Sequence, residues 1–124
     1  MLKWVGLMAG GAVGTAARYG LSEAMHRWMG TGFPFGTLTV NMLGCLLGGF
    51  AATMIEARFA VSHEVRLMVM AGFLGAFTTF STYILESSNL LKDGRWVWAS
   101  INIFISIAAG LAFFKFGEKL ANLL

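Results

Sequence analysis

Charge is scarce in this chain: 12% of its 124 residues are ionisable Asp, Glu, Lys or Arg, against 57% hydrophobic. That balance excludes a soluble globular domain. Cysteine occurs once, at Cys45, which rules out an intrachain disulfide and a thiolate metal cluster and leaves a small packing residue. Proline also occurs once. Pro34 stands just ahead of an apolar run, where its fixed backbone angle and missing N–H cost nothing. No nucleotide-binding loop is present, so neither a pump nor an enzyme is expected. No basic run points to nucleic acid, and the formal net charge of +3 is ordinary for a membrane protein. The first apolar run is expected to be a mature helix rather than a signal peptide, because Arg18 interrupts its end and no convincing small-residue cleavage site follows.

What is present in quantity is apolar length. Residues 4–21, 36–55, 67–91 and 96–116 form four runs, each near the roughly 20 residues that cross a bilayer as a helix. The expectation is an all-α integral membrane protein, one domain over residues 1–124, with four transmembrane helices. A bundle so small has little room for a private aqueous route, so transport would run between subunits. Lys3, Arg58, Arg66, Lys115 and Lys119 fall on one side, and Arg18, Arg27, Lys92 and Arg95 on the other. Lys and Arg bias sets orientation, and five against four is hardly a bias. Insertion in both orientations, and an antiparallel dimer of identical subunits, are compatible with that balance.

Polar residues inside these runs mark candidate sites. Residues 72–83, GFLGAFTTFSTY, pack two glycines and four hydroxyls into an apolar span. Gly72 and Gly75 lower helix propensity, while Thr78, Thr79, Ser81 and Thr82 can bond freed backbone groups. A break in the third helix is expected near residues 75–79, and irregular backbone at that depth needs cover from protein or water. Asn41 lies inside the second run on one face with Gly44 and Gly48, and its amide must face protein or water. Phe77, Phe80 and Tyr83 recur every third residue, and Glu86 continues that line toward the surface. Asn102, Ser106 and Gly110 make a weaker polar stripe at intervals of four. Gly6, Gly10 and Gly14 form a ridge suited to close helix packing. Arg18 either snorkels to the interface or sits at an aqueous mouth. His26 has no acid or nucleophile arranged with it and reads as a surface residue. Ser62 is an expected N-cap, with Glu64 in the first turn of the helix it opens.

These stretches resemble the small bacterial fluoride channels of the CrcB/Fluc family. GGAVGTAARYG at 10–20, FPFGTLTVNMLG at 33–44 and GFLGAFTTFSTY at 72–83 are similar to that family's three signature segments, in the same order. The resemblance implies a bacterial inner-membrane channel that exports fluoride passively through two pores along the interface of an antiparallel homodimer. It implies that Asn41 lends its amide to the fluoride path, with Phe80 and Tyr83 as the ring pair and Thr79, Thr82 and Ser106 as hydroxyls along it. Glu86 and Arg18 would lie toward a vestibule. It further implies a structural sodium ion at the dimer centre, held by backbone carbonyls at Gly75 and Thr78. The family's second ring is usually phenylalanine, so Tyr83 departs from the pattern. The competing class is a small multidrug transporter, also a four-helix dual-topology dimer, which uses a carboxylate in its first helix. Here the first carboxylate, Glu23, comes only after the first run.

Overall fold

The computed structural model describes residues 1–57 and 60–124. Arg58, grouped above with the cations of one end, lies outside them. The described residues form only helices: α1 (Leu2–Met29), α2 (Phe35–Ala57), α3 (63–77), α4 (Phe80–Lys92) and α5 (Trp96–Leu123). α3 changes winding along its length, from an α-helical turn at His63–Arg66, through a π-helical stretch at Leu67–Leu74, to a last turn at Gly75–Phe77. Thr78 and Thr79 then adopt extended backbone, and α4 starts immediately beyond them. Among the described residues, three helical spans are long and apolar enough to cross a membrane: Phe35–Ala57, His63–Lys92, and Trp96–Leu123. α1 has the length, at 28 residues, but glycine, Arg18 and its terminal charges dilute its apolarity.

Two glycine seams hold the bundle. On α1, Gly10 and Gly14 are buried, and a Cβ at either would collide with the carbonyl of Met68 or Phe73 on α3. The ridge expected from their spacing is thus the surface onto which α3 settles. The other extensive contact lies between α2 and α5. It is reciprocal: a Cβ on Gly49 would strike the Phe114 carbonyl, and one on Gly117 would strike the Leu46 carbonyl. In lipid, where apolar side chains gain little from leaving the solvent, this close backbone approach supplies dispersion contact that larger residues would prevent.

Short connections close the two ends. At one, Ser62 accepts from the Val65 N–H at 3.3 Å, as expected of an N-cap, and Arg66 reaches Glu56 at 3.6 Å. At the other, Arg95 donates to the Gly32 carbonyl, and Phe33 packs among Phe35 and Trp98. Many large apolar side chains of α1 and α5 point outward, among them Val5, Met8, Val97, Phe104 and Leu111. Such a surface suits a hydrocarbon surround and would be a liability in water.

Candidate functional site

The interruption between α3 and α4 organises the polar groups of the bundle interior. A continuous helix would send the Thr79 N–H to the Gly75 carbonyl; here it donates to Asn41 Oδ1 at 2.9 Å. The same amide returns a bond, Asn41 Nδ2 donating to the Thr79 carbonyl at 3.0 Å. Asn41 therefore pairs with the Thr79 backbone as a neighbouring peptide would, satisfying two groups that the break exposes. One amide N–H of Asn41 remains beyond this pairing. Thr79 Oγ1 caps α4, accepting from the Thr82 N–H at 3.3 Å and donating to Thr82 Oγ1 at 3.0 Å. Thr78 Oγ1 donates back to the Leu74 carbonyl at 3.0 Å, while its methyl group occupies the space left by Gly44 on α2.

These bonds have a consequence for the carbonyls. The Thr79 N–H goes to Asn41 and the Thr82 N–H to Thr79 Oγ1, so the carbonyls of Gly75 and Thr78 lose the donors that a regular helix would give them. Unpaired backbone oxygens at a helix break are the ligand type that hard cations take. The two positions that the resemblance singled out therefore have the right chemistry for sodium.

An open cleft of about 470 Å³ runs past the break, with Asn41, Gly75, Thr78, Thr79, Phe80, Tyr83 and Ser106 in its wall. Apolar residues of α2, α3 and α5 complete the lining, so a few convergent polar groups are set into a largely hydrocarbon surface. The Phe80 and Tyr83 rings stand 5.6 Å apart at 47°. They differ in exposure: Phe80 projects, 74% exposed, whereas Tyr83 is 7% exposed. Phe77 does not continue their line. The break turns it inward, where it is buried and stacks on Phe73.

Other expected residues are distributed more widely. Thr82 is half-buried behind the cap and does not line the cleft. Glu86 accepts from Thr37 Oγ1 at 2.8 Å, and its second oxygen is shielded without a partner among the described residues. It borders a separate mouth of about 300 Å³ with His26, Asp93 and Arg95. His26 is thus part of a polar rim, a role its sequence surroundings did not suggest. Arg18 is half-buried on α1 and is not part of the cleft wall. The stripe on α5 divides: Ser106 lines the cleft, but Asn102 is 1% exposed and donates to Ser87 Oγ at 2.9 Å. Sequence reasoning passed over Thr37 and Ser87. Thr37 lies four residues before Asn41, a helical spacing that could have drawn attention to it.

Comparison with known proteins bears on what this cleft does. Residues 5–118 match the family described as CrcB-like protein, Camphor Resistance (CrcB). A protein of Maridesulfovibrio salexigens named fluoride-specific ion channel FluC is 44% identical over 119 residues, covering 90% of this chain and 94% of the relative. A protein of the same name from Desulforapulum autotrophicum is 42% identical over 122 residues, 98% of each. Another, from Nitrosococcus oceani, is 39% identical over 123 residues, 99% of this chain and 97% of the relative. With the family match running over nearly the whole length and such relatives covered almost end to end, the chain belongs to the CrcB family.

Proposed function

We propose that this protein is a fluoride-selective channel of the bacterial inner membrane, acting as an antiparallel homodimer of four-span subunits, with two pores along the subunit interface. The observation that carries this reading is the cleft itself. Asn41 and the Thr78–Thr79 break open sideways onto it, beside the Phe80–Tyr83 pair. Irregular backbone at membrane depth needs protein or water against it, and a second copy seated there would turn an open cleft into an enclosed path. The relatives, named fluoride-specific ion channels, supply the ion.

The chemistry suits fluoride. The ion is small and strongly hydrated, so a pore must offer donors that replace water without holding the ion too tightly to leave. The free amide N–H of Asn41 and the Ser106 hydroxyl are neutral donors of that kind. Aromatic rings carry a positive edge, so Phe80 and Tyr83 can present theirs to an anion between the polar groups. Larger anions such as chloride would gain less if the second copy closes the cleft to a narrow path. Arg18 and Glu86 lie outside the cleft wall and would belong to the approach.

A structural sodium ion fits the carbonyls of Gly75 and Thr78, doubled by the same carbonyls from the partner copy. It would supply a fixed positive charge and tie the two breaks together. Export needs no coupling: hydrogen fluoride enters as a neutral weak acid and dissociates inside. A potential of 100 mV, negative inside, favours exit of a monovalent anion by about 2.3 kcal/mol.

The deciding experiment is efflux from liposomes holding the purified protein, followed with fluoride- and chloride-selective electrodes under an applied potential. Rapid fluoride loss with little chloride loss, indifferent to a proton gradient, is expected. No fluoride flux from a folded dimer would overturn the reading. Repeating the measurement after exhaustive replacement of sodium by a large organic cation should weaken the dimer and slow the flux; unchanged behaviour would remove sodium from the proposal.

A further inference from the structure

α4 carries both cleft rings in its first turn, yet it is sparsely supported, touching α2 little and α5 only moderately. The Thr37–Glu86 bond joins it to α2, and a short chain of polar bonds joins it to α5. Ser87, one helical turn beyond Tyr83 and 4% exposed, donates its hydroxyl to the Tyr83 carbonyl at 2.8 Å. It also accepts from Asn102 Nδ2 at 2.9 Å, and Asn102 is 1% exposed. The next residue of α5, Ile103, offers its carbonyl to the Tyr83 hydroxyl over a longer 3.5 Å. The backbone and the phenol of Tyr83 are thus tied to the same turn of α5. Neither Ser87 nor Asn102 lines the cleft.

We infer that Asn102 and Ser87 are positioning residues for the Tyr83 ring, fixing the angle at which its edge meets the ion and so the discrimination between fluoride and chloride. This rests on the channel reading above. A serine bonding back to the carbonyl four residues earlier is common within one helix. The donation from Asn102 converts that local bond into an interhelical tie. Because both groups are shielded, losing Ser87 leaves the Asn102 amide without its acceptor where no water replaces it, and losing Asn102 leaves the Ser87 hydroxyl bonded only within α4; either way the firmer tie to α5 is broken, and α4 can turn about its remaining hold at Glu86. A turn of α4 carries Tyr83 with it, exchanging ring edge for ring face, which is negative and repels an anion. The rate and the ion ratio respond to that rotation, whereas helix association alone does not predict a change in the ratio.

The test compares Ser87→Ala, Ser87→Thr and Asn102→Leu with the unmodified chain in liposomes, measuring fluoride flux per active channel and the fluoride-to-chloride ratio. Both Ser87→Ala and Asn102→Leu are expected to lower the ratio by about fivefold or more, on the scale of one buried hydrogen bond. Ser87→Thr keeps the hydroxyl and should restore the ratio to within about twofold of the unmodified protein. Ser87→Cys, whose thiol fits the site but donates weakly, replaces the alanine variant should that fail to fold. Folded variants with an unchanged ratio would overturn the inference, as would a threonine variant no better than alanine. Failure of both alanine and cysteine variants to form a dimer would reduce the pair to packing glue and also overturn it. Absence of fluoride flux in the unmodified protein would instead overturn the channel reading.

Discussion

At the scale of single residues, Asn41 does two things at once. Its amide closes the backbone gap at Thr79 from both sides, and it lines the cleft with one N–H beyond that pair. Asn41→Leu removes both bonds and leaves a Thr79 N–H and C=O without partners, a loss of about 1–3 kcal/mol for each group. Asn41→Asp keeps the acceptor for the Thr79 N–H, loses the donor, and adds a negative charge to the path. Denaturation in detergent is expected to rank the unmodified protein above Asp and Asp above Leu. Fluoride efflux should fall steeply in both, because the aspartate repels the anion and leucine offers it nothing. An Asn41→Leu protein of undiminished stability would mean that the paired bonds contribute nothing. Undiminished flux would place the ion path elsewhere.

At the scale of helices, glycine spacing separates positions that look alike in sequence. Gly49 and Gly117 each face a carbonyl across the α2–α5 seam, whereas nothing lies within 4 Å of a Cβ built on Gly20. Gly49→Ala and Gly117→Ala should each force the helices apart and cost about 1–3 kcal/mol. Gly20→Ala should be neutral or stabilising by up to about 1 kcal/mol, because alanine is the better helix former. Thermal unfolding in detergent checks all three. Much at this scale was legible in the chain. Dense hydroxyls and paired glycines within an apolar run signalled a broken helix, and Thr78 and Thr79 fall within the expected 75–79. These are local signals, and the break is a local event. Less legible were the features that depend on a second helix. The pairing of Asn41 with Thr79 spans 38 positions, and the spacing of Asn102 and Ser106 says nothing of Ser87, to which only Asn102 turns. The repeat of Phe77, Phe80 and Tyr83 misled because the break falls inside it, and three-residue spacing puts side chains on one face only while the helix is continuous. The π-helical winding at Leu67–Leu74 has no sequence mark that sets it apart from an ordinary apolar helix.

At the scale of the whole molecule, the proposed antiparallel dimer would make an even division of cations a requirement. The proposed path lies between antiparallel copies, so both orientations must be made from one sequence. Lys and Arg near the span ends set orientation, and the present five against four leaves it open. Leu123 and Leu124 are exposed at the end that carries Lys115 and Lys119, and Trp28 is exposed at the end that carries Arg27. Changing Leu123 and Leu124 to lysine raises the first end to seven against four. Changing Trp28, Met29 and Thr31 to lysine raises the other to seven against five. Each variant made alone should insert in one orientation, with a terminal tag reached from one side only, and should give little fluoride flux. Made together in one cell, the two should pair and recover most of it. Full activity from either variant alone, with its single orientation established by the tag, would mean that parallel copies suffice. The cleft would then have to be closed by some other face of the bundle, and the carbonyls of Gly75 and Thr78 would not meet their equivalents across a two-fold axis in the membrane plane.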